Sequence, residues 1–350
     1  MHLQASSSKK NKAEKVIPTV LKSQWFCKNF DINTAKLIGS GGFGLVFSAQ
    51  SLKSEKHSAI KFLKVSPNQD IKEMMNEVFL ISSLKKCNNV IQIEDVYMDT
   101  IKGQIQIEKI FADIIDIQII FSMELGDGAL DNYVNNSAGN KLKPHLVLQI
   151  LFDCLNALIY ASERNFSHSC IKPTNIIYFQ VKNRRLIEGL QKDFIADETL
   201  IFKLSDWGLG QMRPNSTLEH SNLSAYSFGY VPPEILNNKP FNGNKADVFS
   251  LGMSLLLCCG IPFMEFKHLS GMSNQKKYER DLTELLDLLD EDYQILKPLL
   301  TQMLMYDMKE RWDLKKLKDS CDTVNANVMM VGINEKEGRN EIKVLIYNFI

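Results

Sequence analysis

The apolar pattern of the chain changes period at Gly126. Upstream, short runs such as "HSAIKFLKV" are bounded by turn residues, which is the signature of strands. Downstream, "HLVLQILFDCLNALIYASERN" and "KADVFSLGMSLLLCCG" are long, mostly apolar stretches suited to buried helices, the second closed by a glycine stop. Strands and buried helices need separate layers to cover their apolar faces, so the expectation is an α+β chain. Its small β-rich half comes first and its large helical half follows. A length of 350 residues suits two lobes with tails.

Charge narrows the classes of partner. Lys and Arg total 41 and Asp and Glu total 41, so no net field points to nucleic acid or to a membrane surface. The seven cysteines are scattered and odd in number, which fits free thiols in a reducing compartment. "FADIIDIQIIF" is interrupted by Asp113 and Asp116, too soon to span a bilayer. "MHLQASSSKKNK" has no apolar stretch behind it and no Met-Gly start, unlike a secretory signal or a myristoylation site. A cytoplasmic location is the expectation, with a nuclear one also compatible.

Along the chain, residues 1 to about 31 read as a polar, Lys-rich tail with one amphipathic patch, "VIPTVLKSQWF". "AKLIGSGGFGLVFSAQ" is a strand–turn–strand pattern around a glycine cluster. "DIKEMMNEVFLISSLKK" places Met74, Val78, Ile81 and Leu84 at helical spacing. "VIQIEDVYM" and "IQIIFSMEL" read as strands, and the polar-alternating stretch between them takes no assignment. "NIIYF" and "LIFKLS" are short strands separated by a long polar insert. A C-terminal extension, 321–350, ends in strand-like alternation.

Several residues carry chemistry. "GSGGFGLV" sets Gly39, Gly41, Gly44 and Val46 on a GxGxxGxV spacing, and glycines let backbone amides approach phosphate oxygens closely. A plain hairpin turn has the same look. A dinucleotide fingerprint does not fit, because a strand follows where that motif needs a helix. Lys61 stands inside an apolar strand, either snorkelling from an edge or aimed at an anion. Glu77 lies in the amphipathic helix; alone it would read as solvated, and beside Lys61 it makes an ion pair that fixes the ammonium against phosphates.

With these parts in this order, the chain resembles the eukaryotic protein kinase family from about Ala35 to Asp319. Met123, Glu124, Leu125 and Gly126 resemble the gatekeeper and the adenine-binding hinge. "HSCIKPTN", His168 to Asn175, stands at the family's catalytic loop, "DWG" from Asp206 at its magnesium-binding turn, and "PPE" at its Ala-Pro-Glu motif. "DVFSLG" from Asp247 resembles the helix that anchors the catalytic loop, and Arg311 stands where an arginine pairs with that motif's glutamate, here Glu234. The resemblance implies a bilobal kinase-like domain over 32–320, with an N-lobe at 32–125 and a C-lobe at 126–320. It implies ATP and Mg²⁺ as cofactors, with Lys61 and Glu77 on the α- and β-phosphates. Asp206 and Asn175 would then ligate the metal, and Lys172 would reach the γ-phosphate. His168, Trp207 and Ile81 would stack as the hydrophobic column of an active kinase. Ser227, at the position of the family's threonine that follows the activation loop, points to Ser/Thr-kinase ancestry.

The departures fall on the chemistry. Ser169 replaces the family's arginine, removing the cation that would read an activation-loop phosphate, and Cys170 replaces the aspartate that accepts the substrate proton. A general base contributes roughly 10² to 10⁴ in rate, and a thiol near its reference pKa of about 8.5 is a poor substitute at pH 7. A nucleophilic pairing of Cys170 with His168 is not expected. Cys258 and Cys259, in an apolar helix, are core residues.

Three readings follow. The first is a pseudokinase that binds Mg-ATP and acts as a nucleotide-responsive scaffold or regulator, with a protein partner. The second is a slow Ser/Thr kinase with a protein substrate. The third is a kinase-fold binding module indifferent to nucleotide. The insert "VKNRRLIEGLQKDFIADE", 181–198, is a candidate docking surface.

Overall fold

The computed structural model describes residues 23–41, 44–63, 71–107, 110–181, 199–212 and 227–321. The 182–198 portion of the insert, the polar loop 213–226, residues 1–22 and the extension from 322 lie outside the described residues. An antiparallel sheet followed by a mostly helical region gives the expected α+β, bilobal kinase-like fold.

One compact unit draws on residues up to 128 and on 177–210. Its sheet runs β1 (Phe30–Gly41), β2 (Gly44–Ser51), β3 (His57–Leu63), β5 (Ile110–Glu124), β4 (Ile93–Ile107), all antiparallel. The glycine cluster turns the chain between β1 and β2, with Gly39 opposite Val46 and Gly41 opposite Gly44. Gly44 has φ +149°, and a Cβ there would lie 2.0 Å from the Phe62 carbonyl oxygen, so no other residue fits.

Phe47, Ala49, Ile60, Phe62 and Ile120 form the core of this sheet, and a short helix, α1 (Gln24–Asn29), closes it. Trp25 and Phe26 of that helix are buried, and Trp25 stacks on Tyr97 with ring centroids 5.4 Å apart. Each such burial contributes about 1.5–3 kcal/mol. The polar tail expected through residue 31 therefore gives way to folded chain by Ser23, whose hydroxyl caps the helix by accepting from Phe26 N.

The stretch left unassigned between two expected strands continues both of them. Pairing runs without a slip from Asp95 opposite Ser122 to Ile107 opposite Ile110, making one long hairpin. The helix expected around Glu77 is α2 (Ile71–Ser83).

The chain returns to this unit after leaving it. β7 (Ile176–Val181) pairs with β8 (Thr199–Leu204). β8 is then tied to the loop before β4: Leu204 N donates to Asn89 O at 2.9 Å, Ile91 N to Leu204 O at 3.0 Å, and Asn89 Nδ2 to Phe202 O at 3.0 Å. A single cut at residue 125 thus does not separate the units, because residues 177–210 hydrogen-bond into the earlier one.

The second unit comprises 129–176 and the chain from 211. α3 (Leu130–Asn135) precedes α4 (Pro144–Ser162), and the two-residue strands β6 (Phe166–Ser167) and β9 (Gln211–Met212) pair antiparallel. α5 (Pro233–Leu236), α6 (Gly243–Cys258), α7 (Phe263–Phe266), α8 (Gln275–Asp287) and α9 (Lys297–Met303) follow. α4 is long and apolar enough to cross a membrane, but it packs on α6 and buries Leu148, Leu151, Leu155 and Leu158, so core packing accounts for its apolarity. Burial pushes the Cys154 and Cys258 thiols well above their ordinary range, in keeping with core residues. Arg311, fully buried, donates to Glu234 Oε1 at 2.9 Å and to the Lys245 and Met305 carbonyls, so the expected ion pair forms with its remaining donors satisfied.

Candidate active site

Lys61 sits in the middle of β3, between Val46 of β2 and Phe121 of β5. In that strand position the side chain leaves the sheet towards α2, where Glu77 meets it. Lys61 Nζ lies 2.7 and 2.6 Å from the two Glu77 oxygens and 2.6 Å from Asp206 Oδ1. Lys61 is 5% exposed and Glu77 3%. Burial by itself would push the ammonium down, but Glu77 and then Asp206 outweigh it and hold Lys61 above its ordinary value. One positive charge between two carboxylates leaves a net negative charge, which a further cation at Asp206 would offset.

Asp206 takes a left-handed conformation, φ 64°, and leads into a tight turn in which Gly210 N donates to Trp207 O at 2.8 Å. The Trp207 ring is completely buried, and its indole N–H donates to Leu204 O at 3.3 Å. Asn76, next to Glu77 on α2, donates to the carbonyls of Gly210 at 2.9 Å and Gly208 at 3.4 Å.

In the segment Met123–Gly126, Met123 pairs with Ala59 of β3. The Glu124 side chain is held at both oxygens by Lys203 Nζ, each at 2.8 Å, and accepts from Gln92 N at 2.8 Å. Its carboxylate therefore braces the segment. A Cβ on Gly126 would fall 2.3 Å from the Ile177 side chain, so the return of β7 requires glycine there.

In the second unit, the loop from His168 to Asn175 hangs on Asp247 of α6. His168 N and Ser169 N each donate to this carboxylate at 2.7 Å, and Ser169 takes φ 62° to present its amide. His168 Nδ1 accepts from Cys170 N at 3.2 Å, so the ring folds back onto the backbone of the residue two further on. Asn175 Nδ2 donates to Cys170 O at 2.9 Å and lies 3.4 Å from its sulfur. The amide N–H is thus spent on Cys170, and the group Asn175 could offer a cation is its carbonyl oxygen. Lys172 Nζ donates to Ser227 Oγ at 2.9 Å.

Burial pushes the Asp247 carboxyl up to about 7, although the two backbone N–H donors favour its ionised form. An unfolded aspartate titrates near 3.9, so between about pH 4 and 7 the folded state binds more protons. Stability from this group is full below about pH 4 and is lost as pH rises through 7, by up to roughly 4 kcal/mol. Asp247→Asn is expected to flatten this stretch of the stability curve. Chemical denaturation of both proteins at several pH values between 4.5 and 8 checks it, and parallel curves would remove Asp247 as the source.

Sequence reasoning missed Asn76 and Lys203. For Lys203 the signal existed: a lone cation inside the apolar run "LIFKLS", the same pattern that singled out Lys61. For Asn76 there was none, because its carbonyl partners lie 132 and 134 residues away.

A buried lysine gripped by a helix glutamate and by the aspartate of a DWG turn, and a loop hung on a buried helix aspartate, define a kinase-type protein. The protein kinase domain family model matches residues 32–321, most of the chain, and the chain belongs to this family. Among its relatives, the PR5-like receptor kinase of Arabidopsis thaliana is 28% identical over 70% of this chain and 32% of its own length. Calcium-dependent protein kinase 5 of Plasmodium falciparum is 26% identical over 82% of this chain and 44% of its own length. Calcium/calmodulin-dependent protein kinase type 1 of Macrobrachium nipponense is 24% identical over 89% of this chain and 77% of its own length. The first two relatives are thus spanned for half their length or less.

Proposed function

We propose that this chain binds Mg-ATP and transfers its γ-phosphate slowly to serine or threonine of a protein substrate. The observation that carries the reading is Lys61 held between Glu77 and Asp206. An ammonium fixed in this way is set to receive phosphate oxygens, and Asp206 and Asn175 each bring an oxygen donor of the kind Mg²⁺ prefers. Mg-ATP, when bound, supplies the phosphoryl group and the charge neutralisation that a loose transition state needs. Gly39, Gly41, Gly44 and Val46 would cover the phosphates, Met123, Glu124 and Leu125 would offer backbone groups to adenine, and Lys172 would face the transferred phosphate. Relatives named as serine/threonine or calcium-dependent protein kinases support catalysis over a purely passive role.

Cys170 sets the rate. With no carboxylate to accept the substrate proton, a turnover of roughly 10⁻⁴ to 1 s⁻¹ remains from a usual 1–100 s⁻¹. The same residue favours the second reading, a nucleotide-responsive scaffold with a protein partner. The two part on one experiment: phosphate transfer from Mg-ATP to a Ser/Thr peptide by the native chain and by Asp206→Ala, with thermal unfolding followed alongside. The kinase reading expects slow transfer by the native chain and none by Asp206→Ala. Equal silence from both, with the native chain still stabilised by Mg-ATP, would leave the scaffold. A chain that Mg-ATP does not stabilise would overturn both.

A further inference from the structure

Glu77 and Asn76 are successive residues of α2, about 100° apart around the helix. The first faces Lys61 and, through it, Asp206; the second faces the turn that follows Asp206. From this juxtaposition we propose that Asn76 is a positioning residue: its amide clamps the Asp206–Gly210 turn to α2 and so fixes the direction in which Asp206 presents its carboxylate to a nucleotide-bound cation. The inference rests on the nucleotide-binding reading above and deepens it.

The amide suits the task because it carries two N–H groups and both target oxygens are backbone carbonyls. The turn needs a clamp. Asp206 is in a left-handed conformation, which for a residue with a side chain persists only where its surroundings enforce it. Lys61 holds the carboxylate itself, whereas carbonyls held two and four residues downstream fix the backbone that carries it. The two contacts also link the helix position to the turn: if α2 shifts, Glu77 and Asn76 leave their partners together.

Trp207 reports on the turn without any ligand, since its ring is completely buried there. The test uses the full chain with Trp25→Phe and Trp312→Phe, leaving Trp207 as the single tryptophan, and measures acrylamide quenching in the presence of Asn76, Asn76→Ala and Asn76→Asp. Quenching of Trp207 should rise several-fold in Asn76→Ala. It should rise further in Asn76→Asp, where a carboxylate of the same shape would face two carbonyl oxygens. A Trp207 as shielded in both variants as in the parent would overturn the proposal. If the background substitutions unfold the chain, ¹⁹F spectra of 5-fluorotryptophan in the otherwise native protein give the same reading from the Trp207 resonance.

The second arm measures ADP affinity in EDTA and in Mg²⁺. Loss of a positioning residue should cut the enhancement due to Mg²⁺ by about 10- to 100-fold and leave the EDTA value unchanged. Equal losses in the two conditions would mark Asn76 as a general stabiliser and end the positioning role. Failure of the parent to bind nucleotide in either condition would instead overturn the nucleotide-binding reading, and the quenching result would then decide the clamp alone.

Discussion

Cys170→Asp is expected to raise γ-phosphate transfer by roughly 10²- to 10⁴-fold over the native chain. The loop is already built for a carboxylate. Its backbone is held by two short bonds to Asp247, and Asn175 Nδ2 stands 3.4 Å from the Cys170 sulfur, a donor that a carboxylate oxygen would accept from at closer range. Cys170, Ser169, Ser227 and Tyr230 line a cavity of about 10 Å³, a small space beside the two heavy atoms that aspartate adds over cysteine. Because positioning and metal carry most of phosphoryl transfer, the gain should appear in kcat with little change in KM for ATP. Initial rates with a Ser/Thr peptide at saturating Mg-ATP measure it. A variant no faster than the native chain would mean that the missing carboxylate does not limit turnover, and the slow-kinase reading would lose its explanation.

Lys61→Met should have the largest effect on the folded state. It removes the cation between two carboxylates, one of them buried, and breaking a buried pair on one side costs roughly 3–5 kcal/mol. At about 2–4 °C per kcal/mol for a domain of this size class, Tm should fall by about 6–20 °C. The loss should be larger at pH 8 than at pH 5.5, because carboxylates without their cation take up protons more readily as pH falls. Saturating Mg-ATP, which at 100 times its Kd stabilises a binding protein by about 2.7 kcal/mol, should no longer raise Tm. Thermal unfolding of both proteins at the two pH values, with and without Mg-ATP, tests all three statements. A Tm within 2 °C of the native chain would show that Glu77 and Asp206 do not depend on Lys61.

The sequence carried the parts whose signal is local. Lys61 stood out as a cation in an apolar strand, Glu77 followed at a helical position, and the glycine cluster announced a turn; all three lie where expected. The change of pattern at Gly126 placed the helical region. What was illegible depends on partners distant in the chain. The return of residues 177–210 is written in hydrogen bonds from Asn89 and Ile91 to β8, with no mark in either stretch taken alone. The burial of Trp25 and Phe26 was hidden because a six-residue helix has too few turns to show a period, and its polar neighbours dominated the composition. The His168 ring was expected to make no pair with Cys170 as its base; its Nδ1 instead accepts from the Cys170 backbone amide, across a left-handed Ser169 that no local pattern announces.

That return of β8 also bears on how the protein is made. Asn89 and Leu204 are 115 residues apart (204 − 89). At roughly 5–20 residues per second, a ribosome needs about 6–23 s to deliver the second after the first. Through that interval Val90 and Ile91, completely or almost completely buried in the finished protein, have no β8 to cover them. The earlier unit cannot close until the chain has been through part of the later one, so this sequence-distant pairing is among the last steps of its assembly during synthesis.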